Sequence, residues 1–316
     1  MKVIDLINSS KSTAFSFEIL PPLKGNSIQK VYNVIDKLIE FDPKYINITS
    51  HHSEYIYKTL PDGSFQKVNI RKRPGSVAIA SAIQNKYGIT AVPHIICKGF
   101  TKDETEYALI DLNFLGVYDL LLLRGDVKTL EAGQKTDIYH EHATDLQQQV
   151  NDFNKGIAID GSAFEANETP FSYGMACYPE KHEEAPNMES DIFYLKEKVK
   201  NGADYLVTQM FFDNEKYYAF VDRCRAEGIT VPIIPGIKPI VFKNQLTVLP
   251  KIFRSDIPEP FATELRKCKT DDEAKAVGVE WCIQQCKDLI AHGAPSLHFY
   301  TMMASDSVYK VAKEVY

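Results

Sequence analysis

The sequence predicts an α/β protein: one (β/α)8 TIM barrel with extra helices and insertions, occupying residues 1–316 as a single domain. Three observations predict it. Eight apolar, strand-like segments alternate with helical patterns, which is the count of a closed barrel. The composition nowhere shifts to mark a second domain. No GxGxxG occurs, so the dinucleotide fingerprint of the competing doubly wound sheet is missing.

AFSFEIL (14–20) reads as the first strand, with a helical pattern over 27–41 behind it. YINITS (45–50) is the second strand, and the residues after Pro74 continue as a helix to Tyr87, where Gly88 supplies a C-cap. TAVPHII (90–96) is the third, followed by a helix from about Lys102. The apolar run YDLLLLRG (118–125) is the fourth, with a helix around 141–152. FSYGMACYP (171–179) precedes a helix over 191–201, and ADYLVTQMFF (203–212) precedes one over 215–227. TVPIIPG (230–236) is the seventh strand. SLHFYTM (296–302) is the eighth, reached through a longer helical region that includes AVGVEWCIQQCKDLIAHG. Two polar insertions stand out. The one at 127–142 falls on the barrel face where active sites form. The one at 154–169 falls on the opposite face, where stability or oligomer contacts are expected.

Composition narrows the class. The chain is 44% hydrophobic and 25% charged, with a formal charge of −6 and a pI near 5.8. An acidic balance argues against nucleic acid or an acidic membrane surface as the main partner. No segment has the ~20 apolar residues of a membrane span, and the start, MKVIDLINSSKS, has too short an apolar stretch for a signal peptide. Six scattered cysteines without CxxC or a nearby histidine pair read as reduced core thiols of a cytoplasmic protein, not as a metal site.

In a barrel the C-terminal strand ends line the active-site mouth. Here they are Glu18, Thr49, His94, Arg124 with Asp126, Tyr178, Gln209, Pro235 with Gly236, and His298 with Tyr300. Each has a bland reading: His94 as a satisfied core histidine, Tyr178 and Tyr300 as core aromatics. Glu18 resists one, because it sits between Phe17 and Ile19 in an apolar strand and buried carboxylates are rare unless paired. Its apolar setting raises the pKa, which suits a general acid. Arg124 and Lys198 suit phosphates, with His94 and His182 as hydrogen-bond donors. No metal cluster, GxSxG elbow or Walker loop is visible. The residues alone leave a lyase or aldolase type of barrel, or one that holds a cofactor.

FSFEILPP (15–22), INITS (46–50), AVPHIIC (91–97), LLLRGD (121–126), YPEKHEEAPNMESD (178–191), LKEKVKNGADYLVTQMFFD (195–213), VPIIPGIKPI (231–240) and LHFYTM (297–302), in this order, resemble the methylenetetrahydrofolate reductase family in its compact bacterial form. The resemblance implies an FAD-containing barrel that reduces 5,10-methylenetetrahydrofolate to 5-methyltetrahydrofolate with NADH or NADPH, in a ping-pong cycle that supplies methyl groups for methionine synthesis. It implies a homodimer or homotetramer. It places Glu18 as the acid that protonates folate N10, and Asp126 as the second catalytic residue, beside flavin and pterin, where its charge stabilises the cationic iminium. It maps flavin contacts onto Thr49, His94, Arg124, Gly125, Asp126, His142, Ala143, Ala176, Tyr178, His182, Asp191 and Lys198. Folate contacts fall on Asp126, Gln209, Gln245 and Tyr300. The chain departs from the family pattern at Ile19-Leu20, at His142 where a tyrosine is common, at Leu249 where some members carry phenylalanine, and at Met302-Met303-Ala304 after the last strand. Two alternatives are another flavin barrel, of proline-dehydrogenase type, and a non-catalytic barrel serving assembly.

Overall fold

Strands β1 (Ala14–Ile19) and β2 (Tyr45–Ile48) begin the barrel, and a hairpin of β3 (Glu54–Thr59) and β4 (Phe65–Ile70) then leaves it. The ring resumes with β5 (Thr90–Ile96), β6 (Asp119–Leu123), β7 (Ser172–Cys177), β8 (Tyr205–Thr208), β9 (Ile233–Ile234), β10 (Gly236–Ile237) and β11 (Ser296–Tyr300). Every barrel pairing is parallel, in the order β10-β11-β1-β2-β5-β6-β7-β8-β9. This computed structural model describes residues 1–51, 54–98, 100–125, 138–302 and 305–316.

The seventh barrel strand differs from the sequence expectation. It is split at Pro235, which has no N–H to give a ladder. Its first half, β9, pairs with β8, and its second half, β10, pairs with β11. The His298 N–H bonds the Pro235 carbonyl at 3.0 Å, so the interrupted strand closes the ring. The other ladders are shorter than the apolar runs around them. Arg124, Gly125, Tyr178 and Gln209 therefore lie just beyond their strands, at the rim.

Alternation along β1 shows how the wall is built. Phe15, Phe17 and Ile19 face the helices in the main apolar cluster, with Ile46 and Ile48 of β2 and Leu297 and Phe299 of β11. Ser16 and Glu18 have the opposite parity and face the interior. The helices α2 (Gln29–Leu38), α3 (Ser76–Tyr87), α4 (Lys102–Phe114), α5 (Ala143–Asn154), α6 (Met188–Lys200), α7 (Asn214–Ala226), α10 (Asp271–Ala291) and α11 (Ser305–Val315) contribute to that cluster. Two short helices, α8 (Gln245–Phe253) and α9 (Glu259–Lys267), sit in a satellite cluster with Met210, Phe212 and Ile240.

Four features were not read from the sequence as they stand. The hairpin β3–β4 occupies a stretch with no assigned element. The helix expected over 27–41 is α2 plus a 3-10 turn, Ile39–Phe41, ended by Asp42 at φ 51°. The helix expected from 191 starts at Met188, because the Asn187 side chain accepts the Ser190 N–H at 2.8 Å and caps it. Finally, α1 (Val3–Ser9) closes the barrel floor: Val3 and Ile7 pack with Tyr45, Val92, Leu121, Tyr205, Val207 and Ile234. Its Val3 N–H donates to the Asp119 carboxylate at 2.8 Å. All six cysteines are buried thiols, as the sequence suggests. Among the described residues, no helix is long and apolar enough to cross a membrane.

Candidate active site

The interior of the barrel is layered. Strand register sets Ser16 of β1 against His298 of β11 and Tyr45 of β2, and two residues on it sets Glu18 against Tyr300 and Asn47. The lower layer is a closed polar network. His298 meets the Ser16 hydroxyl at 3.0 Å through Nδ1 and the Asn47 amide nitrogen at 3.4 Å through Nε2. Because that amide nitrogen only donates, Nε2 accepts and the Nδ1–H points at Ser16. Burial pushes the His298 pKa down to about 3, so the ring is neutral. Tyr45 lies parallel to it at 6.3 Å. His298 is thus a satisfied core histidine.

Glu18 sits directly above, 8% exposed. Desolvation raises its pKa from 4.5 to about 7, and the Lys238 ammonium opposes that rise. Among the described residues, no group donates a hydrogen bond to its carboxyl. A carboxyl that is half protonated at neutral pH, with no donor holding its ionised form, is chemically a proton donor in waiting.

The neighbouring strand ends supply polar groups. His94 is buried on β5, and desolvation, with His298 and His51 nearby, lowers its pKa to about 3. It therefore serves as a neutral hydrogen-bonding ring, and its Nε2 has no partner among the described residues. The Asn47 amide oxygen is likewise buried and unpartnered. Thr49, just past β2, is half-buried, with its hydroxyl 3.1 Å from His51 Nε2.

A second group of residues forms one connected patch from β6 to α6. Arg124 pairs with Glu184, and its Nε–H donates to the Glu141 carbonyl at 3.3 Å. Gly125 has φ +81°, and a Cβ there would press on the Ile96 side chain at 3.3 Å, so both backbone conformation and packing call for glycine. The Lys198 ammonium donates to the Ala176 carbonyl at 3.0 Å; burial lowers its pKa, and Asp191 partly restores it. Asp191 also accepts the His182 N–H at 2.8 Å. The His182 ring packs edge-on against Tyr178 at 4.7 Å, and burial lowers its pKa. His142 precedes α5 with its N–H on the Asp145 carboxylate at 2.9 Å, and Ala143 is the first residue of that helix.

The expected folate contacts divide. Gln209 is half-buried at the rim, its amide oxygen taking the Met210 N–H at 2.9 Å. The Gln245 oxygen takes the N–H groups of Val241 and Phe242 at 2.7 and 3.1 Å, fixing the loop before α8. The Tyr300 hydroxyl is committed across the ring to the Thr208 carbonyl at 2.6 Å. That reach passes over Gly236, where a Cβ would lie 2.5 Å from the Tyr300 ring. Leu249 is buried in the satellite cluster. Asp126, Met303 and Ala304 lie outside the described residues, as does most of the 127–142 insertion.

Sequence reasoning overlooked Asn47 and Lys238. Lys238 carried the same signal that singled out Glu18, a lone charge within an apolar run, here PIIPGIKPI. It is 5% exposed.

The residues fit an elongated, anionic, polar cofactor such as FAD. Two buried polar atoms without partners, His94 Nε2 and Asn47 Oδ1, sit at the mouth. The cations Arg124 and Lys198 belong to the connected patch from β6 to α6.

A family model described as methylenetetrahydrofolate reductase matches residues 2–316. A protein of Escherichia coli named 5,10-methylenetetrahydrofolate reductase is 30% identical over 297 residues, 94% of this chain and 88% of its own length. A Caenorhabditis elegans protein named probable methylenetetrahydrofolate reductase (NADPH) is 30% identical over 99% of this chain, and an Arabidopsis thaliana protein named methylenetetrahydrofolate reductase (NADH) 1 is 30% identical over 97%. This chain spans only 43% and 49% of those two relatives. Among solved structures, a Clostridium thermocellum protein described as binding two copies of 5-methyl-5,6,7,8-tetrahydrofolic acid aligns over 98% of both chains, with TM-score 0.54 and 15% identity. At that identity it supports the fold alone.

Proposed function

The chain belongs to the methylenetetrahydrofolate reductase family, and from that premise we propose that it reduces 5,10-methylenetetrahydrofolate to 5-methyltetrahydrofolate, with FAD as cofactor and NADH or NADPH as reductant. The observation that carries the reading is Glu18: a carboxyl buried at the mouth, pushed up to about 7, with no hydrogen-bond donor among the described residues.

FAD, when bound, supplies two-electron hydride chemistry between nicotinamide and folate. Arg124 and Lys198 would hold its phosphates; Thr49, His94, His182 and Asp191 would take its hydroxyl and ring polar atoms. Gly125, Ala143 and Ala176 would let it lie close to backbone, with His142 and Tyr178 flanking it. Glu18 holds the proton destined for folate N10: the carboxyl O–H bond breaks, an N–H bond forms, and the imidazolidine ring opens to a cationic iminium ready to accept hydride. Gln209 and Gln245 orient the pterin and its attachment, and Tyr300 forms part of the wall. Asp126 retains its proposed place beside the iminium charge. The proposal includes one catalytic domain, a cytoplasmic setting and a homodimer or homotetramer.

The test is a spectrum followed by two anaerobic additions. Flavin bands should bleach with NADH or NADPH and return with methylenetetrahydrofolate. Glu18→Gln should bleach normally and fail to return. Bands that bleach but never return in the wild type would retire the folate substrate. Absence of bands after reconstitution with FAD would retire the flavoenzyme. Equal loss of both half-reactions in Glu18→Gln would retire Glu18 as the acid.

A further inference from the structure

Beside the inward row that holds Glu18 lies a second buried charge that the proposed chemistry does not use. Lys238 follows β10. Its predecessors pair Gly236 with His298 and Ile237 with Phe299, and Lys238 stands one residue past that ladder. Tyr300 pairs with Glu18, and Glu18 with Asn47. Tyr300, Glu18 and Asn47 thus form one row around the mouth, one layer above Gly236, His298, Ser16 and Tyr45, and Lys238 leaves the end of β10 close enough for its charge to act on Glu18.

A lysine 5% exposed ordinarily has a partner for its charge. Among the described residues, this ammonium has neither a hydrogen bond nor a contact ion pair. Its electrostatic neighbours are Glu18 and, more weakly, the Cys282 thiol of α10. From the other side, Glu18 is faced by few groups. Tyr300 on β11 has its hydroxyl tied to Thr208 and a pKa well above the usual range. His298, one layer below, is neutral, and Asn47 on β2 is an uncharged amide. Among the described residues, Lys238 is the cation that acts on Glu18.

We propose that Lys238 is a positioning residue which, buried at the end of β10 beside the barrel mouth, sets how tightly Glu18 holds its proton. The inference rests on the reading of Glu18 as proton donor. Burial alone would make the acid too reluctant to release its proton near neutrality. A fixed cation stabilises the carboxylate left behind when the proton passes to N10, and it does so without a contact bond that would lock Glu18 in its ionised form. Burial of Lys238 is the cost of that arrangement, and desolvation correspondingly lowers its own pKa.

The experiment is an infrared pH titration of the Glu18 carboxyl band in the full chain with no folate added, the band assigned by its loss in Glu18→Gln. Lys238→Met should move the midpoint upward by at least about one pH unit. Lys238→Arg should leave it near the wild-type value. The alkaline limb of the folate half-reaction should move with the band. Should Lys238→Met not fold, Lys238→Gln gives the same reading. An unchanged midpoint in the charge-removing variant, or an equal shift in Lys238→Arg, overturns the proposal. A shifted midpoint combined with folate reduction that survives in Glu18→Gln keeps the electrostatic pairing and discards the acid role; that result separates failure of the function from failure of this inference.

Discussion

Two carboxyls are buried at opposite ends of the barrel, Glu18 at the mouth and Asp119 at the floor, 8% and 5% exposed. Burial raises both, Glu18 to about 7 and Asp119 to about 6. What differs is what answers the charge. Asp119 accepts the Val3 N–H at 2.8 Å and lies near the chain's amino terminus and Lys2, which lower its pKa. Glu18 is answered by one cation at a distance and by no hydrogen bond among the described residues. The floor carboxyl is satisfied and holds α1 in place. The mouth carboxyl is kept poor in partners, which costs stability and leaves its proton available.

The largest effect expected from breaking this contrast is catalytic. Glu18→Gln should slow flavin reoxidation by methylenetetrahydrofolate by about 100-fold or more, the usual worth of a positioned acid, in single-turnover absorbance. A loss under about tenfold would put Glu18 with Asp119 among structural groups.

Stability comes next. Both groups bind protons more tightly folded than unfolded, so the stability they contribute at low pH is lost as pH rises, through about 6 for Asp119 and about 7 for Glu18. Glu18→Gln removes that loss. It should stabilise the fold by on the order of 3 kcal/mol at about pH 9, and much less at about pH 4, in denaturant titrations. No pH dependence of the difference would mean that burial does not strain the carboxyl.

The smallest effect belongs to the floor. Asp119→Asn keeps an acceptor for Val3 and should flatten the pH dependence of stability between about 4 and 6. Asp119→Ala leaves that N–H buried and should be less stable than Asp119→Asn by about 1–2 kcal/mol. Faster amide exchange in α1 should accompany it. If the two variants are equally stable, the bond to Val3 does not anchor the helix.

The contrast also marks how far the sequence could be read. Glu18 was visible because a charge interrupts FSFEIL. Lys238 interrupts PIIPGIKPI in the same way, yet a seventh strand that ends at Gly236 leaves it in the following loop, away from the mouth. Pro235 splits that strand and moves its second half onto β11, and Lys238, at the end of that half, comes within electrostatic reach of Glu18. His298 and Tyr300 show the converse. From sequence they stood beside Glu18 as strand-end groups, and the packed barrel commits His298 to Ser16 and Asn47, and the Tyr300 hydroxyl to Thr208.

The sequence by itself determined the eight-strand alternation, the outward apolar parity, the helix stops at glycines and the candidacy of Glu18, because periodicity and local backbone chemistry act over a few residues. Only the tertiary structure decided which polar strand ends are satisfied and which stay unanswered. It did so because hydrogen-bond partners, desolvation and the Lys238 charge all come from strands far apart in the chain. Their register is fixed when the ring closes.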